Sequence, residues 1–170
     1  MKWFDRKFVF DAPTWMYPNL VERLRGTPAR LEDRCASLSR RELVRTHDEA
    51  WSIQENVGHL LDLEELWRDR LDDFLRGSHK LREADLTNRA THEADHNSRD
   101  IGDLLAAFRA ARLAMVERLE GADDELVERV AEHPRLRQPM RLLDHLHFVA
   151  EHDDHHLATI TRLLRGESGP

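Results

Sequence analysis

Every long apolar pattern in this 170-residue sequence repeats with the period of an α-helix, and none alternates as a half-buried strand does. That restricts the fold to the all-α class. A first segment, residues 17–38, has Pro18 at an early helical position and is expected to break around Gly26, Thr27 and Pro28. The second is sharply delimited. Ser52 and Glu55 form a capping-box pattern, Ile53, Val57, Leu60, Leu61, Trp67, Leu71 and Phe74 recur at helical spacing, and Gly77 supplies a stop. A polar stretch then runs to Asn97 and reads as a long connection with one short helical turn over residues 91–96. A third helix is expected over residues 98–121, with Ile101, Leu104, Leu105, Phe108, Met115, Val116 and Leu119 on its apolar face. A shorter piece follows over residues 124–131, and a fourth long helix over residues 139–164. Four such amphipathic helices pack as a four-helix bundle, with a long connection between the second and third.

The length suits one domain across residues 1–170, and no linker composition divides it. Acidic residues number 33 against 26 lysines and arginines, for a net charge of −7, and the basic residues are interspersed with acids. Nucleic acid is therefore not an expected partner. No uncharged run approaches a membrane span, and MKWFDRKFVFDAPTW is interrupted by charges before an apolar core of signal length develops. With Cys35 as the sole cysteine, neither an internal disulfide nor a multi-thiolate zinc site can form. A cytoplasmic protein without membrane contact is expected. Cys35 itself reads as a small buried hydrophobe.

Chemistry concentrates in the histidines. At 3.6 residues per turn, His145, Val149, His152, His156, Ile160 and Leu163 share one stripe of the last helix, so His152 and His156 face the core on successive turns. His59 lies on the flank of the apolar stripe of the second helix, beside Leu63 and Leu66. One such imidazole is ordinarily a core residue satisfied by a hydrogen bond. Three buried together are costly without partners, and a shared cation satisfies them at once. His155 falls at the stripe margin and reads as a supporting or surface residue, while His145 lies about 10 Å along the axis from His152, too far to share an ion. His92 and His96 have the same four-residue spacing, and Glu93 with His96 gives one ExxH unit, but no second unit faces them. That segment reads as solvated loop. Trp67 reads as core, Trp15 and Phe148 as packing or pocket lining, and Trp51 as undecided.

The stretches WSIQENVGHLLDLEELW and EHDDHHLATI resemble the first histidine helix and the C-terminal HxxHH element of the DinB-like (DinB/YfiT) superfamily of metal-dependent four-helix bundles, with order and spacing alike from about Phe10 to Leu164. The resemblance implies metal ligands at His59, His152 and His156, with His155 the extra histidine of the motif. It departs at Glu151 and Thr159, where many relatives carry an aromatic and another histidine, and at Asp153 and Asp154. The implied activity is metal-dependent transfer of a low-molecular-weight thiol to a small-molecule substrate, with hydrolysis by metal-bound water second and a non-enzymatic, metal-stabilised binding module third. Glu55 and Asp153 are the candidate general bases for hydrolysis. An all-imidazole site suits a divalent ion such as zinc, nickel or iron. The resemblance, with exposed apolar positions in the first segment, also points to a homodimer.

Overall fold

The computed structural model describes residues 3–46 and 50–166. Four long helices carry the fold: α1 (Tyr17–Cys35), α3 (Ile53–Leu75), α5 (Ile101–Glu120) and α7 (Leu142–Leu164), with short α2 (Arg40–Leu43), α4 (Arg89–Glu93) and α6 (Asp124–Val127) between them. Both α1 and α3 pack against α5 and α7, so these two long helices, consecutive in the chain, stand diagonally across the bundle. The capping box at α3 forms as its sequence requires: the Ser52 side chain accepts from the Glu55 amide, and the Glu55 carboxylate accepts from the Ser52 amide. Gly77 takes a left-handed φ of 69° just beyond the helix.

The break expected in the first segment does not occur. Pro28 lies inside a continuous α1, where its missing N–H leaves the Leu24 carbonyl without a helical donor. Arg112 of α5 reaches that carbonyl with Nη1 at 3.5 Å, and Thr27 bonds Asp153 at 2.8 Å. Partners on neighbouring helices hold the turn that local preference disfavours.

The expected fourth helix also starts later. Residues 130–141 form an antiparallel hairpin of β1 (Val130–His133) and β2 (Gln138–Arg141), pairing Val130 with Arg141 and His133 with Gln138. Its strands are four residues each, too short for alternation to register against the helical pattern around them. Ala131 and His133 point inward, Val130 and Glu132 outward. The polar stretch after α3 leans on the same hairpin, with Leu81 donating to the Glu132 carbonyl at 3.0 Å and Glu132 to that of His79 at 2.8 Å.

The core is two apolar layers with an ionic cluster between them. One layer includes Leu24, Trp67, Met115 and Ala150, and the other Leu31, Leu60, Phe108 and Leu157. Between these positions lie Thr27 on α1, Glu64 on α3, Arg112 on α5 and Asp153 on α7, all buried. Arg112 donates Nε and Nη2 to Glu64 at 3.0 and 2.6 Å, and also binds Asp153. Burial works against the Arg112 charge, but the two carboxylates outweigh it and hold the guanidinium charged. Burial pushes Glu64 up despite Arg112. Cys35 is buried as expected, and that burial raises its thiol to about 11.

Candidate metal centre

His59 of α3 meets His152 and His156 of α7, with one ring nitrogen from each lying within 4.8 Å of the others. All three residues are buried, at 4%, 5% and 6% exposure, yet the three rings line a cavity of about 330 Å³. Among the described residues, no carboxylate or thiol joins them as a fourth donor.

Hydrogen bonds fix two of the three tautomers. Thr91 gives its single hydroxyl proton to Asp62 at 2.8 Å, so at 3.0 Å it accepts from His59 Nδ1. His96 donates Nε2–H to the same Asp62 oxygen at 2.9 Å. On the other side, Asn56 spends its amide N–H groups on the carbonyls of Ser52 and Trp51 and accepts from His156 Nδ1 at 2.8 Å. His59 and His156 are thereby left with lone pairs on Nε2. Nε2 of His156 lies 3.3 Å from Nε2 of His152. His152 Nδ1 meets no partner, so this tautomer alone is not fixed.

The electrostatics agree. Burial pushes His59 down to about 4, and burial together with the neighbouring imidazoles pushes His152 and His156 well below the usual 6.5. At neutral pH the cluster is three uncharged imidazoles, the form in which histidine ligates a metal. The 3.3 Å contact also matches the edge of about 3.3 Å that two nitrogens span when each lies about 2.0–2.1 Å from one tetrahedral ion. The donor set therefore fits a borderline divalent cation.

Aromatic rings wall the site. Trp51 lies tilted against His59 and stacks on His156, at centroid distances of 4.6 and 6.2 Å, and Trp3 meets His152 edge-on at 4.9 Å. Phe148 and Trp67 line the same cavity, whereas Trp15 is 71% exposed elsewhere. His155 is half-buried at the cavity wall, its Nδ1 3.2 Å from Arg6. His145 is fully within the core, against Trp67 and Phe74.

Two expectations need correction. The segment bearing His92 and His96 is not plain solvated loop: His92 is exposed, but Thr91 and His96 are buried, Thr91 accepting from His59 directly and both bonding Asp62. Neither candidate base faces the cluster. Glu55 is engaged as the α3 cap, and Asp153 points away into the bundle, paired with Arg112 and Thr27. Asn56, Asp62 and Thr91 were missed by sequence reasoning. Their sole local signal was that Asn56 and Asp62 sit three residues either side of His59, on its own helix face.

A family model for the DinB superfamily matches residues 23–160. No curated protein matches the sequence. Among solved structures, YfiT from Bacillus subtilis, described as a probable metal-dependent hydrolase with an unusual four-helix bundle topology, is similar, with a TM-score of 0.83 and 23% identity. The match covers 96% of this chain and 95% of that one, and at such identity it shows a shared fold. The family match spans most of the sequence, and the chain belongs to the DinB superfamily.

Proposed function

We propose that this protein is a metal-dependent enzyme in which His59, His152 and His156 hold one divalent ion and the adjoining cavity takes a small-molecule substrate. The observation that carries this reading is the set of three neutral imidazoles, with donor atoms within 4.8 Å, opening onto a cavity of about 330 Å³. When bound, a divalent ion there would lower the pKa of a coordinated water or thiol and so supply a nucleophile near neutral pH. Asp62 and Thr91 orient His59, and Asn56 orients His156. Trp51, Trp3 and Phe148 offer an apolar surface to substrate. A purely structural clamp would close its coordination with a fourth protein ligand, and none is present among the described residues.

Hydrolysis is the first reading of the reaction, by analogy with the description of YfiT. Thiol transfer is favoured by a different observation: both candidate bases, Glu55 and Asp153, are committed elsewhere. A thiol, with an unperturbed pKa of about 8.5, needs less help to ionise than water. The two are separated by incubating zinc-, nickel- and iron(II)-loaded protein with a panel of small esters and amides, and in parallel with electrophiles plus low-molecular-weight thiols. Metal-dependent turnover in one panel, abolished in His156→Ala, identifies the class. Absence of turnover in both, with metal bound, would count against an enzyme.

A further inference from the structure

Besides the histidine cluster, the lining of the same cavity includes two arginines that form no ion pair among the described residues, although the charge of Asp73 acts on Arg70. Arg70 of α3 is 1% exposed, lies over the Trp67 ring at 5.5 Å, and gives Nε to the Arg82 carbonyl at 3.0 Å. Arg135, in the turn between β1 and β2, lies over Phe4 and Phe148 at 5.4 and 5.7 Å, and its buried Nη2 meets no acceptor. No described acidic side chain is in ion-pair contact with either, although most other arginines here have such a partner. Among the described residues Asp85 is the one carboxylate lining the cavity, and it is exposed and occupied with the amides of Thr87 and Arg89.

His133 sharpens the imbalance. Its Nδ1 is 3.2 Å from the Leu136 amide and its Nε2 is 3.2 Å from Arg70 Nη1, so the ring stands between two N–H donors. A neutral imidazole has one lone pair and can accept from one of them. The other N–H faces an N–H. Burial and the charges of Arg70 and Arg135 push His133 down to about 3, so protonation does not relieve the conflict but would worsen it. Donors therefore outnumber acceptors on this wall, in a protein whose net charge is −7. An unmatched donor set of this kind is complementary to an oxyanion.

We propose that this wall is an anion subsite: the substrate carries a carboxylate or phosphate that Arg70 and Arg135 bind, with its reacting group toward His59, His152 and His156. The inference rests on the metal-enzyme reading for the position of the reacting group, but not for anion binding itself. A cavity of about 330 Å³ limits the substrate to a small molecule.

The test is calorimetric titration of the metal-free and zinc-loaded full chain with inorganic phosphate, succinate and uncharged succinamide, with tryptophan emission as a second readout because Trp67 lies beneath Arg70. Saturable binding of one or both anions, and not of succinamide, is expected in the metal-free protein. Arg135→Gln should weaken it by about tenfold or more, and Arg135→Lys, which keeps the charge but loses the fork, by less. The tighter anion names the headgroup class. Absence of saturable anion binding, or equal affinity in wild type and Arg135→Gln, would overturn the proposal; if Arg135→Gln does not fold, equal affinity in Arg135→Lys, or succinamide binding as well as succinate, would do so. Failure of the metal reading is recorded separately, as no zinc uptake, and leaves the metal-free anion arm intact.

Discussion

Gly58 shows how closely the surroundings of His59 are packed. A Cβ at that position would lie 2.2 Å from the His96 ring, a separation that requires the ring to move. His96 is held by Asp62, which also orders Thr91 behind His59. Gly58→Ala is therefore expected to displace His96, loosen the His59 ring and lower metal affinity by about 10–100-fold, as losses behind a ligating histidine generally do. Thr91→Val should act in the same direction, while His92→Ala, on an exposed side chain, should leave affinity unchanged. Competition with a chromophoric chelator measures all three. The triad His59, His152 and His156 was legible because helical spacing puts two of its members on one face and the third on a flank. The support was not: Thr91 lies 32 residues from His59, and His96 lies 34 from Asp62, across a polar connection without periodicity.

At the scale of elements, the buried Arg112–Glu64–Asp153 cluster joins α3, α5 and α7, and Arg112 also supplies the Leu24 carbonyl that Pro28 orphans on α1. Arg112→Met leaves two buried carboxylates without a counterion and should cost roughly 3–5 kcal/mol. Replacing the whole cluster, as Glu64→Leu, Arg112→Met and Asp153→Leu together, should cost far less, because no charge is then stranded. Urea denaturation followed by far-ultraviolet circular dichroism distinguishes the two; equal losses would contradict the account. This cluster also explains what the sequence obscured. The long helices were legible from apolar residues at helical spacing, and the start of α3 from the Ser52–Glu55 pair, since both depend on near neighbours. Continuity through Pro28 depends on a guanidinium 88 positions from Leu24, and the hairpin on pairing between two four-residue strands, so neither has a local signature.

For the whole molecule, buried neutral histidines set a pH limit. His133 is pushed down to about 3, and burial holds His145, whose two ring nitrogens meet no protein partner, well below 6.5. As pH falls below about 6.5 the unfolded chain takes up protons that the folded chain refuses, so stability falls with falling pH through that window. Each such imidazole contributes a slope of about 1.4 kcal/mol per pH unit. The melting temperature of metal-free protein should therefore drop steeply between pH 7 and pH 5. His145→Leu should flatten the slope and raise stability by about 1 kcal/mol or more, since it removes two unsatisfied polar atoms. An unchanged slope in that variant would place the acid sensitivity elsewhere. Metal removal at neutral pH, by contrast, should lower the melting temperature only modestly, because two apolar layers and the cluster between them already hold the bundle.

Whether His59, His152 and His156 hold one divalent ion is decided by elemental analysis. Wild-type protein, His155→Ala and His156→Ala would each be stripped, reconstituted with zinc, nickel or iron(II) at neutral pH, and desalted. Close to one ion per chain is expected in wild type and His155→Ala, and a steep loss in His156→Ala with the helical spectrum retained. Wild-type protein that takes up none of these metals, or a His156→Ala variant that holds them as well as wild type, would contradict this assignment.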